Sequence, residues 1–138
     1  MTSGVAAKGT QLEWNAEPIV ELTSITGPGE SMDPIDLTSH DSVSAFREFA
    51  AGLRDGGEIS FEGNFIKGNA AGQIAAHTDF QSGQARAWII KHPGWGAGVP
   101  QMSGNGFLTA FSLDYPYDSK ISVSGTIKVT GKPTLAPA

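Results

Sequence analysis

Three histidines, fourteen carboxylates and three tryptophans hold whatever chemistry this chain can do. His40, His77 and His92 stand far apart in sequence, and none sits in an HExxH or comparable ligand spacing. There is no cysteine to complete a thiolate site. Asp33 and Asp36 are close together, but a calcium loop needs more oxygen ligands and a terminal Glu, so they read as a solvated turn. Glu58 and Glu62 share a strand face about 13 Å apart, from the strand rise. That is too far for a glycosidase pair unless another strand supplies the partner. Gly94, Gly96 and Gly98 form a G-x-G-x-G run, yet Val99-Pro100 follows where a phosphate-binding turn would open a helix. No nucleophile elbow and no P-loop are present in the sequence. Trp14, Trp88 and Trp95 could stack on a sugar or a base, but such tryptophans more often fill cores or interfaces. The expectation is a protein that is not an enzyme, with no cofactor and no metal.

The elements around these residues are mostly strands. From Lys120 to Thr130, Ile121, Val123, Ile127 and Val129 alternate with Ser122, Ser124, Thr126 and Lys128, with Gly125 on the apolar face. Glu58 to Phe65 alternates in the same way, with Ile59, Phe61 and Phe65 opposite Glu58, Ser60, Glu62 and Asn64. Gln11 to Thr26 reads as one long strand or two short ones, broken near Glu17-Pro18. Ala85 to His92 and Phe107 to Asp114 complete the set, the latter after a turn at Asn105-Gly106 within a Gly-rich loop. A short strand at Pro34 to Thr38 is also expected. Val43, Phe46, Phe49 and Leu53 recur at helical spacing and predict a main helix over about 42–54, capped by Asp41 or Ser42 and stopped by Gly56-Gly57. A second, short helix is expected over about 69–81, with Ile74 and either His77 or Phe80 facing inward. The fold class is mainly β (α+β): an antiparallel sandwich or barrel with helices packed on one side.

The chain of 138 residues is long enough for one domain, 1–138, with a core of its own. Its net charge of -5 argues against gripping a polyanion, since such binding rests on Lys and Arg. The N-terminus lacks the apolar stretch of a secretory signal, and no apolar run approaches the roughly 20 residues that span a bilayer. A soluble, cytoplasmically made protein with no membrane partner is expected.

The order of these elements resembles the major tail tube proteins of long-tailed phages and gene transfer particles, relatives of the tubes of contractile tails and type VI secretion. Four stretches carry the likeness. They are Met32-Asp33-Pro34-Ile35-Asp36-Leu37-Thr38-Ser39-His40-Asp41-Ser42 running into Phe46-Arg47-Glu48-Phe49; Gly52 through Phe65; Ala71 through Ile90; and Gly106-Phe107-Leu108-Thr109-Ala110-Phe111 through Gly131-Lys132-Pro133-Thr134-Leu135. The resemblance they carry covers roughly residues 11–135. The Gly-rich loop Trp95 to Ser103 has no counterpart, and no added C-terminal domain is expected.

The resemblance implies a structural virion protein of the tail, made in the bacterial host cytoplasm and self-assembling into stacked hexameric rings around a channel. Each subunit would give about four strands to one inner barrel. About 24 strands at 4.8 Å, tilted roughly 40°, give a backbone diameter near 48 Å and a bore of roughly 35–40 Å, wide enough for duplex DNA. DNA would pass during ejection without specific binding. The implied partners are further copies of the chain, a tape measure protein in the lumen, a tail terminator and tail-tip or baseplate proteins. The loop Gly27, Pro28, Gly29, Glu30, Ser31, Met32, Asp33 and Pro34, continuing to Asp36, would reach a neighbouring subunit or ring. The arm 1–10 and the tail 133–138, including Pro133, Thr134 and Leu135, would brace adjacent rings, ordering on assembly. The lumen would be polar or acidic, with Glu58 and Glu62 as candidates together with Ser122, Ser124 and Thr126. The stripe Val43, Phe46, Phe49 and Leu53 would cover the sheet of its own subunit. The alternatives are a tube protein of a contractile tail or type VI-like machine, and a monomeric β-sandwich that binds a ligand through its tryptophans.

Overall fold

The computed structural model describes residues 8–41, 46–94 and 98–137. β1 (Gln11–Trp14) and β2 (Glu17–Ile19) form a hairpin whose two turn residues, Asn15 and Ala16, have φ of 54° and 66°. Two positive φ values match the twist of the flanking strands, which is why Asn opens the turn. Ala16 bears a Cβ penalty there. Ala16→Gly is expected to raise stability by about 0.5–1 kcal/mol, seen as a higher denaturant midpoint at unchanged slope.

β3 (Leu22–Thr26) follows, then β4 (Ser31–Asp36), β5 (Phe49–Asp55) and β6 (Glu58–Asn64). A π-helical turn, Ala70–Ile74, leads into α1 (Ala75–Ser82), and β7 (Arg86–Lys91), β8 (Pro100–Asp114) and β9 (Ser122–Pro137) complete the chain. Seven strands make one antiparallel sheet in the order β2-β1-β7-β8-β9-β6-β3. Its two edge strands, β2 and β3, are consecutive in sequence. The sheet therefore curls, its two unpaired edges joined by the short link at residues 20–21, and forms a half-barrel.

The period-2 patterns place the core as expected. Val123, Gly125, Ile127 and Val129 of β9 are buried, as are Ile59, Phe61 and Gly63 of β6. Gly125 is needed because Phe61 occupies the place of its side chain: a Cβ at 125 would lie 2.5 Å from Phe61 Cζ. Leu12, Trp14, Trp88, Ile90 and Leu108 extend the same core. Gly125→Val is expected to cost about 1–3 kcal/mol by overpacking, measurable by thermal denaturation.

The helix expected near 69–81 is present, but different residues anchor it. Gln73, Ala76 and Asp79 are buried, while Ile74, His77 and Phe80 are exposed. Asp79 Oδ2 accepts from Trp14 Nε1 at 2.8 Å and lies 3.5 Å from Arg86 Nε. Gln73 Nε2 donates to the carbonyls of Val20 and Asn64, and its Oε1 accepts from the Ile66 N–H. Asn69 Oδ1 accepts from the Val20 and Gln73 N–H groups. The helix thus fills the open side of the half-barrel through hydrogen bonds to backbone that has no strand partner, and apolar spacing could not reveal that.

Three expectations need correction. The helix over about 42–54 is not formed where the chain is described: Phe49 and Leu53 belong to β5, which pairs antiparallel with β4 in a separate two-stranded sheet. Phe49, Ala51 and Leu53 satisfy a period of 2 as well as Phe46, Phe49 and Leu53 satisfy 3.6, so periodicity alone could not choose. Cross-strand bonds decide it, with Leu37 N–H donating to Glu48 O and Glu48 N–H to Thr38 Oγ1, each at 2.8 Å. Phe46, Phe49 and Leu53 are exposed and do not cover their own sheet; Val43 and the N-cap candidate Ser42 lie outside the described residues. Second, Asn105-Gly106 is no turn. It lies inside the 15-residue β8, where β7 pairs Arg86 with Gly106 and Ala87 with Asn105. Third, the segment from Pro133 to Pro137 is strand: β9 continues through it, with Ser103 opposite Thr134 and Met102 opposite Leu135.

Candidate assembly surfaces

The residues first suspected of chemistry do not converge. His92 Nδ1 lies 2.6 Å from the Pro100 carbonyl, to which it donates across the β7–β8 connection. His77 sits on α1 against Phe111, ring centroids 5.1 Å apart, and His40 is exposed in the β4–β5 connection. Among the described residues no three His, Cys, Asp or Glu side chains are grouped to hold a metal ion. Trp14 and Trp88 lie opposite each other on β1 and β7 and are fully buried, so neither offers a stacking face. Trp95 and Gly96 of the Gly-rich loop lie outside the described residues.

What the fold assembles instead is a polar sheet face. β6 and β9 pair Glu58 with Lys128, Ser60 with Thr126, Glu62 with Ser124 and Asn64 with Ser122. β3 adds Ser24 beside Glu62 and Thr26 beside Ser60. On the far side of β9, β8 adds Ser112 opposite Ser124, Ala110 opposite Thr126 and Asp114 opposite Ser122. Glu58, Glu62, Ser122, Ser124 and Thr126 therefore share one face, directly behind the core residues of the same strands. Register enforces this, because successive side chains alternate between core and solvent. Four adjacent strands, β3-β6-β9-β8, carry the face, with Glu62 among the hydroxyls of its middle rows, Glu58 beside Lys128 at one end and Asp114 at the other.

The second surface is the β4–β5 hairpin. Met32, Pro34, Phe49 and Ala51 project to one side of it and Ile35 and Ala50 to the other, while the register shift between Met32 and Pro34 takes Leu53 off the Phe49 side. Leu53 is 90% exposed and Phe49 55%. A two-stranded ribbon apolar on both faces is marginal alone in water. At its neck two chain crossings touch without side chains. A Cβ on Gly27 (φ 99°) would meet Glu58 O at 2.2 Å, and one on Gly57 (φ 77°) would meet Gly29 O at 2.3 Å. Asp55 clamps the neck to the large sheet, accepting from Gly57 N–H and from Lys128 Nζ, each at 2.8 Å.

Lys128 beside Asp55, together with the Gly57 N–H bond, holds the Asp55 carboxyl below its ordinary value of 3.8. The Thr38 hydroxyl and N–H do the same for Asp36. A lowered folded-state value means that the Asp55 clamp is present above pH 3.8 and is lost as pH falls through the lowered value. Lys128→Met is expected to move the Asp55 midpoint up toward 3.8, readable by carboxyl NMR titration.

The sequence expected contact residues from Gly27 to Pro34 and at Pro133, Thr134 and Leu135. Ser31 to Pro34 form most of β4, exposed along its length, and Gly27, Gly29 and Glu30 are exposed in the connector beside half-buried Pro28. Thr134 and Leu135 are exposed on β9, whereas Pro133 is buried. Sequence reasoning missed the whole of β5, Lys128 as a clamp, and the pair Asn69 and Gln73. One signal was available for β5: Asp55-Gly56-Gly57 between two period-2 runs is a strand-turn-strand pattern.

Residues 11–136 match the family model described as lambda phage tail tube protein. No characterised protein matches the chain by sequence alone. Solved structures share its fold, among them the following three. A chain in the virion of a native gene transfer agent particle superposes with a TM-score of 0.78 at 18% identity, over 96% of this chain and 99% of that one. One in the tail of an empty gene transfer agent particle, refined with C6 symmetry, gives 0.72 at 20%, over 92% and 93%. One in the sheath/tube terminator of PVC, an extracellular contractile injection system, gives 0.76 at 11%, over 97% of each.

Proposed function

This chain belongs to the lambda phage tail tube protein family, and from that premise we propose that it closes into hexameric rings that stack into the hollow tube through which DNA leaves the particle. It is a structural tail tube protein, a component of the virion tail. The observation that carries the ring reading is the polar face of β3, β6, β9 and β8. A barrel shared among subunits needs strands with one face packed on a core and the other compatible with water and a passing polyanion, and this face has both properties. Glu58, Glu62, Ser122, Ser124 and Thr126 line the channel in this reading. Sharing strands around a ring also satisfies the edges β2 and β3, which an isolated half-barrel leaves open. The C6 symmetry of the related gene transfer agent tail supports six subunits per ring.

The partners follow from the same arrangement: further copies, a tape measure protein in the bore before DNA, a terminator above and tail-tip or baseplate proteins below. The exposed hairpin and the exposed end of β9 supply contacts between copies. A contractile tube is the second reading, favoured by the fit to the terminator of the contractile injection system. It requires a sheath partner outside the ring.

The test is electron microscopy of the purified chain across a concentration series, with and without a tail-tip initiator. Rings or tubes with a central bore of several nanometres are expected. A chain that stays monomeric at high concentration with the initiator present would sink the proposal.

A further inference from the structure

Resting on the tube reading, we infer that the turn from Asn69 to Gln73 is an autoinhibitory latch. In the free chain its two amides occupy backbone that a joining copy must pair with, and assembly releases them.

The latch sits on the seam between the two edge strands. β2 has β1 as its strand partner and β3 has β6, so each keeps one side for another strand. In the free chain that side of β2 is covered. Asn69 Nδ2 donates to the Pro18 carbonyl at 3.3 Å, and Asn69 Oδ1 accepts from the Val20 N–H at 3.2 Å. Gln73 Nε2 donates to the Val20 carbonyl at 3.1 Å. Pro18 has no N–H, so its carbonyl is all it can offer a neighbouring strand. The turn also blocks the edge by its bulk: a Cβ on Gly72 would lie 2.3 Å from Pro18 O, which leaves no room for a strand between them. Gln73 anchors the turn at its other side, to the Asn64 carbonyl and the Ile66 N–H, each at 2.8 Å. A ring that pairs β2 with a neighbour therefore needs this turn to move aside.

Two strained points give the seam a second arrangement to move to. Ala70–Ile74 is π-helical, and Ile74 N–H reaches the Asn69 carbonyl at 3.3 Å, longer than the ordinary bond of about 2.9–3.0 Å. Withdrawing the amides lets the turn tighten to the α-helical spacing of α1, which follows it directly. Glu21, next to Val20, has a φ of 55°, a left-handed value that residues with a side chain rarely adopt. A strand partner would draw residues 20–21 toward extended backbone and relieve it. Free subunits are thus held mostly shut, and a joining copy binds the small fraction that is open.

Two variants open the latch by different routes. Gly72→Ala pushes the turn off Pro18 without removing a polar group, and Gln73→Leu removes the bond to Val20. Gly125→Val is the control, because it strains the core and leaves the latch intact. Tube formation without a tail-tip initiator is followed by electron microscopy, at a temperature where circular dichroism shows all three folded. The concentration at which tubes appear should fall roughly tenfold or more for both latch variants, because more chains are competent to pair. It should not fall for Gly125→Val. Amorphous aggregate or an unchanged concentration overturns the latch as an assembly device. An equal fall for Gly125→Val overturns it too, since lost stability would then be enough. If the unaltered chain makes no tubes with the initiator, the tube reading fails first and the latch with it. Should the latch variants not fold, hydrogen exchange of the Gln73 side-chain amide, read by NMR on the unaltered chain, decides. It should be slow in the free chain and approach that of exposed Gln84 in tubes. An amide as protected in tubes as in the free chain means that the latch stays shut, and the inference falls.

Discussion

Replacing Gln73 by Leu is expected to lower stability by about 3–5 kcal/mol, with a fall in Tm on the order of 10 °C or more. Gln73 is 1% exposed, and its amide satisfies three backbone groups: the carbonyls of Val20 and Asn64 and the N–H of Ile66. Leu fills nearly the same volume, so the loss is not a cavity. It is the desolvation penalty of three groups left with no partner, each about 1–3 kcal/mol and less than additive together. Val20 joins the edge strands β2 and β3, so the same change unlatches the closing side of the half-barrel. Freed edges invite non-native pairing, and aggregation on heating should accompany the lower Tm. Gln84→Leu, at an exposed position two residues past α1, is the control and should stay within about 0.5 kcal/mol. If Gln73→Leu matched that control in calorimetry, the latch would contribute nothing and the helix would be held by Asp79 alone.

Gln73 also marks the limit of what the chain reveals before folding. Strand faces were readable because alternation is local: Ser124 and Ile127 differ in polarity, and the pleat does the rest. So Glu58, Glu62 and the β9 hydroxyls could be grouped as rows before their register was known. Gln73 and Asn69 could not be found that way. Their partners, Val20 and Pro18, lie about fifty positions away and are backbone groups, which carry no residue-type signal. The β5 strand failed for a different reason. Phe46, Phe49 and Leu53 fit a helix, and what rules it out is non-local, lying in the pairing with β4 and in the approach of Gly52 to Asp33, where a Cβ would sit 2.2 Å from the carbonyl oxygen. That error matters for function. As a helix the stripe would have been the protein's own core; as a ribbon it is exposed apolar surface. The tail misread at Pro133 is similar, since the partner of that segment is the start of β8, within a loop rich in glycine.

The largest functional effect is expected from Glu62→Lys. Glu62 is exposed on β6 between Ser24 of β3 and Ser124 of β9, at the centre of the polar face and away from the core. The change should leave folding and tube formation intact, since surface substitutions of this kind usually cost less than about 0.5 kcal/mol. In the proposed tube it reverses a charge once per subunit, and every ring repeats it. Each Lys that meets a phosphate displaces condensed counterions, so DNA threading the bore would gain an adhesive contact at every level. Individually these contacts are weak, about 1 kcal/mol at 4 Å in water. Along a whole tube they act together, and DNA delivery by otherwise normal particles should fall by roughly tenfold or more at low salt. The defect should shrink as salt rises, because screening acts within about 10 Å at 0.1 M. Glu62→Gln removes the charge without reversing it and should deliver nearly as well as the unaltered chain. Ser24→Lys, in the same row on β3, should reproduce the defect if the four-strand face is the wall of the bore. Normal delivery by intact Glu62→Lys tubes at low salt would place this face away from the channel and require another surface to line it.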